Sequence, residues 1–393
     1  MAHAQEFEKM RPVMEKAAER ILSAIKSGQR IILKHHNDCD GFSSGLALEA
    51  AIIPLIKRFN DKRNAAQEKY RRMPSFSPYY HIEDMMKDCA QFMTISGRFN
   101  EAYPLVILTD LGSGPENVLP LQQLKALGCE VIIVDHHPVD PEVDKLVDYH
   151  INPHLFSLPN ELSAGILCAE LARMITNVPE QKMKTLAAVS AISDRVPDEY
   201  AQSYIENAQF DKEKLTQIAR AVDFVVYHLR AIDAGELLDI VYGSNIEMQD
   251  KLLALYTAEL KRRELIVLEQ AMPLVTIEKI GNTHVATVPV DQLNIKDNYP
   301  RMGIIVDIVK EELVKQGKLT APFVFFGTTP ILQLCRASDD SAFDFPTLLT
   351  TVKTGVPLSY AEGGGHPHAG TFRYIETQKE PVKECIRKYI ESL

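Results

Sequence analysis

Phe7, Met10, Val13, Met14, Ala17, Ile21, Leu22 and Ile25 recur at helical spacing across 6–27, and Gly28 follows as a stop. The pattern then becomes an apolar run, Ile31-Ile32-Leu33. It predicts a short buried strand over 30–36 that leads into Asn37-Asp38-Cys39-Asp40-Gly41. Helical spacing resumes from Phe42 to about Phe59. The strand pattern returns at 105–109, ending in Asp110-Leu111-Gly112, and at 130–134, ending in Asp135-His136-His137-Pro138. Between them, 118–127 reads as helix. Apolar strands alternating with helices predict a parallel sheet covered on both faces. Two packed helices are expected over 163–176 and 183–193, the second closed by Asp194.

From about 200 to 265 the chain is helical and more charged, as a connector would be. Beyond 270, strands are expected at 273–277, 284–288 and 323–326, with a helix over 304–316 stopped by Gly317. The predicted class is α/β: a parallel-sheet N-terminal domain over 1–200, a helical connector over 201–265 and a smaller α/β domain over 266–393.

Composition narrows the class. Apolar residues make up 46 % and charged residues 24 %, as in a soluble globular chain. No run of ~18 apolar residues is evident and the first residues lack an apolar signal core, so a cytoplasmic protein without a membrane segment is expected. Six scattered cysteines without a CxxC pair point to reduced thiols rather than disulfides or structural zinc. The net charge of −10 weighs against a general nucleic-acid binder. A carboxylate cluster neutralised by cations would account for part of it, and binding follows the local field. One basic stretch stands out: Lys57, Arg58, Lys62, Arg63, Lys69, Arg71 and Arg72. It reads equally as a solvated helix face or a binding surface.

Candidate chemistry gathers at the strand ends. Three of them supply His36, Asp38, Asp40, Asp110, Asp135, His136 and His137, and Asp194 adds a fourth acidic position. Functional groups of parallel sheets collect at these carboxyl ends. One Asp-x-Asp-Gly is ordinarily a turn and one Asp after a strand ordinarily a helix cap. Three successive strand ends carrying such groups point instead to a metal cluster. Carboxylates and imidazoles suit Mn²⁺ and Mg²⁺. Asp38 and Asp40 would share a side if their segment is extended, and two ions could activate a water against a phosphoryl group.

These residues resemble a known family. Val134-Asp135-His136-His137-Pro138 is similar to the signature that names the DHH phosphoesterases. His36-Asn37-Asp38-Cys39-Asp40-Gly41 resembles their first motif, Thr109-Asp110-Leu111-Gly112 their second, and Ser193-Asp194 falls at their fourth. Gly363-Gly364-Gly365-His366 resembles the GGGH motif of the DHH-associated substrate-binding domain, so the likeness spans almost the whole chain. It implies a catalytic domain, a connector and a substrate-binding domain with a cleft between. It implies two Mn²⁺ ions, with Mg²⁺ or Co²⁺ as alternatives, held by His36, Asp38, Asp40, Asp110, His136 and Asp194. Asp110 would bridge them, His137 would act beside the scissile phosphate, and Asp135 would orient a neighbouring histidine. Arg336 and Ser338, with Gly363, Gly364, Gly365 and His366, would hold a substrate phosphate, the glycines through a backbone nest.

Among these enzymes the expected match is a RecJ-like exonuclease, closest to archaeal forms, that shortens single-stranded DNA or RNA to mononucleotides. The chain exceeds a minimal core, carries an insertion over about 57–100 with the basic stretch, and has an extended helical connector. Tyr70, Phe76, Tyr79 and Tyr80 could stack bases or pack the insertion onto the core. The alternatives are a nano-RNase or cyclic-dinucleotide phosphodiesterase acting on short oligonucleotides, and a structural subunit of a replication or repair complex. A replication or repair protein is the expected partner, with 57–100 as its candidate surface.

Overall fold

The structure, a computed structural model, describes residues 4–60, 63–75, 79–99, 101–158, 162–229 and 235–393. The chain divides into two compact units, Met1–Thr257 and Ala258–Leu393.

In the first unit α1 (Ala4–Ser27) leads to β1 (Ile31–His36), α2 (Cys39–Phe59), the short α3 (Ala65–Lys69), β2 (Tyr70–Ser75) and α4 (Ile82–Phe99). Then come β3 (Leu105–Thr109), α5 (Val118–Ala126), β4 (Glu130–Val134), the one-turn α6 (Pro141–Asp144) and β5 (Tyr149–Ile151). Helices α7 (Ala164–Ile175), α8 (Glu180–Ser193), α9 (Asp198–Glu206), α10 (Lys212–Leu229) and α11 (Gly235–Val241) follow, and α12 (Ile246–Ala271) begins in this unit and ends in the second. All five strands are parallel, in the order β2-β1-β3-β4-β5.

Period-two alternation explains why these strands are apolar throughout. Ile31, Leu33, Leu105, Ile107, Ile132 and Val134 enter the core shared with α1, α2, α7 and α8. Ile32, Val106, Leu108, Val131 and Ile133 enter a second core with residues of α4 and α5. The chain leaves β1 toward β2 on one side and returns as β3 on the other, so strand order reverses between β1 and β3. A crevice at the carboxyl ends is expected at that reversal.

The segment 57–100, expected as an insertion, instead completes the sheet. β2 is its edge strand and α4 covers one face. The basic stretch is correspondingly dispersed. Lys57 and Arg58 close α2, Lys69 pairs with Glu101 at 3.0 Å, and Arg71 bonds Gln91. Arg72 is buried, paired with Glu49 at 2.9 Å and lying over the Phe42 ring. Tyr70 and Tyr80 are buried in the two cores and so are not stacking platforms. Lys62 and Phe76 lie outside the described residues. Arg72→Ala should therefore lower stability by about 2 kcal/mol, because it leaves the partly exposed Glu49 without this partner and opens space beside Phe42. Urea unfolding measures this; an unchanged midpoint would contradict it.

α2 is long and apolar enough to cross a membrane by length and composition, but 78 % of its apolar window is buried inside the protein. The helices expected as a connector place Leu215, Ile218, Val222, Val226, Leu238, Val241 and Leu253 in the first unit's core.

The second unit is built on a six-stranded sheet, β6 (Thr276–Ile280), β7 (Thr283–Pro289), β8 (Phe323–Thr328), β9 (Leu332–Ala337), β10 (Glu362–His366) and β11 (Ala369–Arg373). Its order is β10-β11-β9-β8-β7-β6, parallel only between β7 and β8. α13 (Met302–Lys315) covers one face, and α14 (Phe345–Gly355) with α15 (Lys379–Glu391) covers the other. The strand expected at 273–277 begins later, because Pro273 sits in a 3-10 turn over Met272–Leu274.

Candidate metal centre

β1 delivers His36 to the crevice, and the chain turns at once into α2. Asp38 caps that helix, accepting the Gly41 N–H at 2.9 Å. A Cβ on Gly41 would lie 2.1 Å from the His36 carbonyl oxygen, so only glycine lets the first turn pack back on β1. Asp40 lies inside that turn. The expected extended segment with Asp38 and Asp40 on one side is thus replaced by a strand-to-helix junction, and the two carboxylates part company.

Asp38 stays beside β1: its Oδ2 is 2.7 Å from His36 Nδ1. Asp40 reaches across to α7 and α8. It accepts the Ala164 N–H at 2.9 Å, the Gly165 N–H at 2.7 Å and the Ser190 hydroxyl at 2.5 Å. From there Asp40 Oδ2 is 3.8 Å from His136 Nε2, and Asp194 Oδ2 is 3.2 Å from the same nitrogen. Two groups result, His36 with Asp38 and Asp40 with His136 and Asp194.

Asp110 joins them. At the end of β3 its backbone adopts φ 57°, a left-handed conformation in which aspartate is tolerated better than most residues. Its Oδ2 is 3.5 Å from His36 Nδ1 and its Oδ1 is 3.5 Å from His136 Nε2. One oxygen faces each group. Asp135 plays another part: it accepts the N–H groups of Ser113 and His136 and holds His137 Nδ1 at 2.8 Å. That bond commits Nδ1 of His137 and fixes the orientation of its ring.

The electrostatics show what the cluster lacks. Burial, with Asp38 and Asp40 nearby, pushes Asp110 well above the ordinary carboxylate range. Burial and Asp40 do the same to Asp194, and burial raises Asp40. Burial opposes charge on His36 and His136, yet Asp38 beside the first and Asp194 beside the second raise both. Among the described residues, the buried Asp110 Oδ2 accepts no hydrogen bond. Four crowded carboxylates with imidazoles between them, and one orphaned oxygen at the centre, form a donor set suited to divalent cations.

Residues 30–193 match the DHH family, N-terminal domain. A solved structure described as the DHH domain of a member of a family of ribosomal proteins is 31 % identical, with TM-score 0.94, over 99 % of this chain and 93 % of that one. The chain belongs to the DHH family. An uncharacterized protein of Methanocaldococcus jannaschii is 29 % identical over 421 residues, all of this chain and 55 % of the relative, so the chain spans about half that protein's length. The fold is also that of RecJ from Thermus thermophilus, solved with Mn²⁺: TM-score 0.65, 16 % identity, 97 % of this chain and 55 % of that one.

Several groups that shape this DHH centre carry no motif signal. Ser190 and the amides of Ala164 and Gly165 bind Asp40 from 124 to 150 positions away. A Cβ on Gly165 would strike Ser190 Oγ at 2.4 Å. Asp223 accepts the Cys39 N–H at 3.0 Å and steadies the start of α2.

In the second unit the glycine run departs from its expected form. Gly363, Gly364 and Gly365 lie in the edge strand β10, and none has positive φ, so the alternating handedness of an anion nest is absent. Close approach explains two of them: a Cβ on Gly363 would meet Thr371 O at 2.2 Å, and one on Gly365 would meet Ala369 O at 2.3 Å. Arg336 on β9 bonds Asp307 at 3.2 Å and stands opposite Ala369, which stands opposite His366. Ser338 Oγ accepts the Phe323 N–H at 3.0 Å and closes the β8–β9 ladder.

Proposed function

We propose that this DHH protein is a manganese-dependent phosphodiesterase that removes mononucleotides from an end of single-stranded DNA or RNA, as a RecJ-like exonuclease. The observation that carries the reading is Asp110, which presents one oxygen to the His36–Asp38 group and the other to the Asp40–His136–Asp194 group. RecJ of the same fold has been solved with Mn²⁺, which supports the choice of ion.

His36, Asp38, Asp40, Asp110, His136 and Asp194 would hold two divalent cations, with Mg²⁺ or Co²⁺ as alternatives. The cations would neutralise charge on the phosphate and make a water acidic enough to attack it. The chain's own groups do the rest. Asp135 fixes the His137 ring, and His137 Nε2 donates a hydrogen bond to the phosphate or a proton to the departing oxygen. Ser190 and the two α7 amides keep the Asp40 carboxylate aimed at its group. Arg336 on β9 and His366 on β10, in register across the intervening β11, would bind a substrate phosphate.

The dispersed basic residues and buried tyrosines of 57–100 favour a second reading: hydrolysis confined to short oligonucleotides, as in a nano-RNase or dinucleotide phosphodiesterase. Digestion of end-labelled DNA and RNA, from dinucleotides to long single strands, separates them. Stepwise Mn²⁺-dependent shortening of long strands is the expected result. Cleavage of only the shortest substrates would move the assignment to the second reading. No cleavage of any length would leave the structural-subunit role.

A further inference from the structure

His150 on β5 and Asn152 just beyond it lie two residues apart and face the same side. The Asn152 side chain is fully buried, and its amide is used in every direction. Nδ2 donates to Ser113 Oγ at 3.0 Å and to the His137 carbonyl at 2.9 Å, and Oδ1 accepts the His154 N–H at 3.0 Å. Ser113 follows β3, His137 follows β4 and His154 follows β5. One amide therefore ties together three successive loops on the carboxyl edge of the sheet.

The network converges on His137. The Ser113 N–H donates to Asp135 Oδ2 at 3.1 Å, and Ser113 Oγ pairs with His150 Nε2 at 3.0 Å. His150 Nδ1 faces Asp144 at 3.1 Å. Asp135 holds the His137 ring at 2.8 Å and its N–H at 3.3 Å, while Asn152 holds its carbonyl. Both the backbone and the ring of His137 are pinned. The bonds of Asn152 run to Ser113, His137 and His154, and none of them to the carboxylate or ring nitrogen of a proposed cation ligand. Buried polar networks of this kind fix one geometry, because each broken bond leaves a desolvated group.

We infer that Asn152 is a positioning residue: through the His137 carbonyl and Ser113 it sets where His137 stands against the substrate phosphate. This rests on the phosphodiesterase reading. An error of about 1 Å in such placement can cost about 10²-fold in rate without weakening ligand binding.

The test compares Asn152→Asp and Asn152→Ala with the parent. Asn152→Asp keeps the shape but sets a carboxylate oxygen against the His137 carbonyl where a donor stood. Mn²⁺ affinity, read by electron paramagnetic resonance, and KM for a short oligonucleotide should stay at parent values. kcat should fall about 10²-fold in Asn152→Asp. In protein labelled with ¹⁵N-histidine, the His137 Nδ1–H resonance should shift in both variants. Parent-like kcat in a folded, Mn²⁺-binding variant overturns the inference. So does a loss of Mn²⁺ affinity matching the loss of kcat, which would make the role structural. If the parent cleaves no oligonucleotide, the phosphodiesterase reading fails on its own, and an unshifted His137 resonance in Asn152→Asp then overturns the positioning role. Should neither variant fold, Ser113→Ala removes one acceptor of the same amide, and unchanged kcat and resonance there overturn it.

Discussion

Asp110→Asn should yield a folded protein whose turnover has fallen on the order of 10³-fold and which Mn²⁺ no longer protects from heat. The loss follows from position. Asp110 Oδ2 faces His36 and Oδ1 faces His136, so the side chain serves both groups, and an amide cannot supply two anionic oxygens. Folding survives for two reasons. Asparagine is among the few residues that accept the left-handed backbone at φ 57°. The change also removes a charge that burial, Asp38 and Asp40 disfavour. With a chelator present, the variant should therefore unfold at or above the parent's temperature, while added Mn²⁺ should stabilise the parent alone. Asp110→Ala is the poorer control, since a left-handed alanine costs about 1–2 kcal/mol by itself. Turnover together with thermal unfolding, each with and without Mn²⁺, decides the matter. Retained Mn²⁺-dependent cleavage by a folded Asp110→Asn protein would remove the bridging role.

The second large effect is expected at a residue with no chemistry of its own. Gly41→Ala places a Cβ 2.1 Å from the His36 carbonyl oxygen and 2.9 Å from its nitrogen, both backbone atoms that no rotamer change can clear. α2 must move off β1, taking Asp38 and Asp40 with it. Overpacking of this severity costs about 3 kcal/mol, and both proposed cation groups lose an aspartate from its place. Chemical unfolding should show the loss of stability, and a Mn²⁺ titration the loss of affinity. A variant with parent-like values in both would show that the junction is softer than its geometry indicates.

The centre was legible in the sequence to an unusual extent, and the reason is local. In a parallel sheet the strand ends lie side by side, so His36, Asp38, Asp110 and His136, each at or just after its own strand, are brought together by the strand order alone. Asp194 was legible because it closes α8, whose helical spacing is plain. The roles of Asp38 and Asp40 were less so. Spacing of two suggested one shared side, but the chain turns into a helix at Asp38 and sends the two carboxylates to different partners.

Elements without a side-chain rhythm were missed. β2 reads Tyr-Arg-Arg-Met-Pro-Ser, and its charged residues suggest a surface. Arg72 is buried there only because Glu49 and Phe42, distant in sequence, receive it. β10 is mostly glycine and carries almost no pattern; its pairing with β11 decides that it is a strand rather than a nest.

Local pattern was enough for the central strands β1, β3 and β4, most of the covering helices and the chemical types at the strand ends, because periodicity and motif spacing are properties of neighbouring residues. Tertiary structure alone decided which carboxylate faces which imidazole, that Asp40 is held by α7 and α8, and that Asn152 reaches three loops. Those contacts join residues far apart along the chain, and only the closed packing of strands and helices fixes their distances.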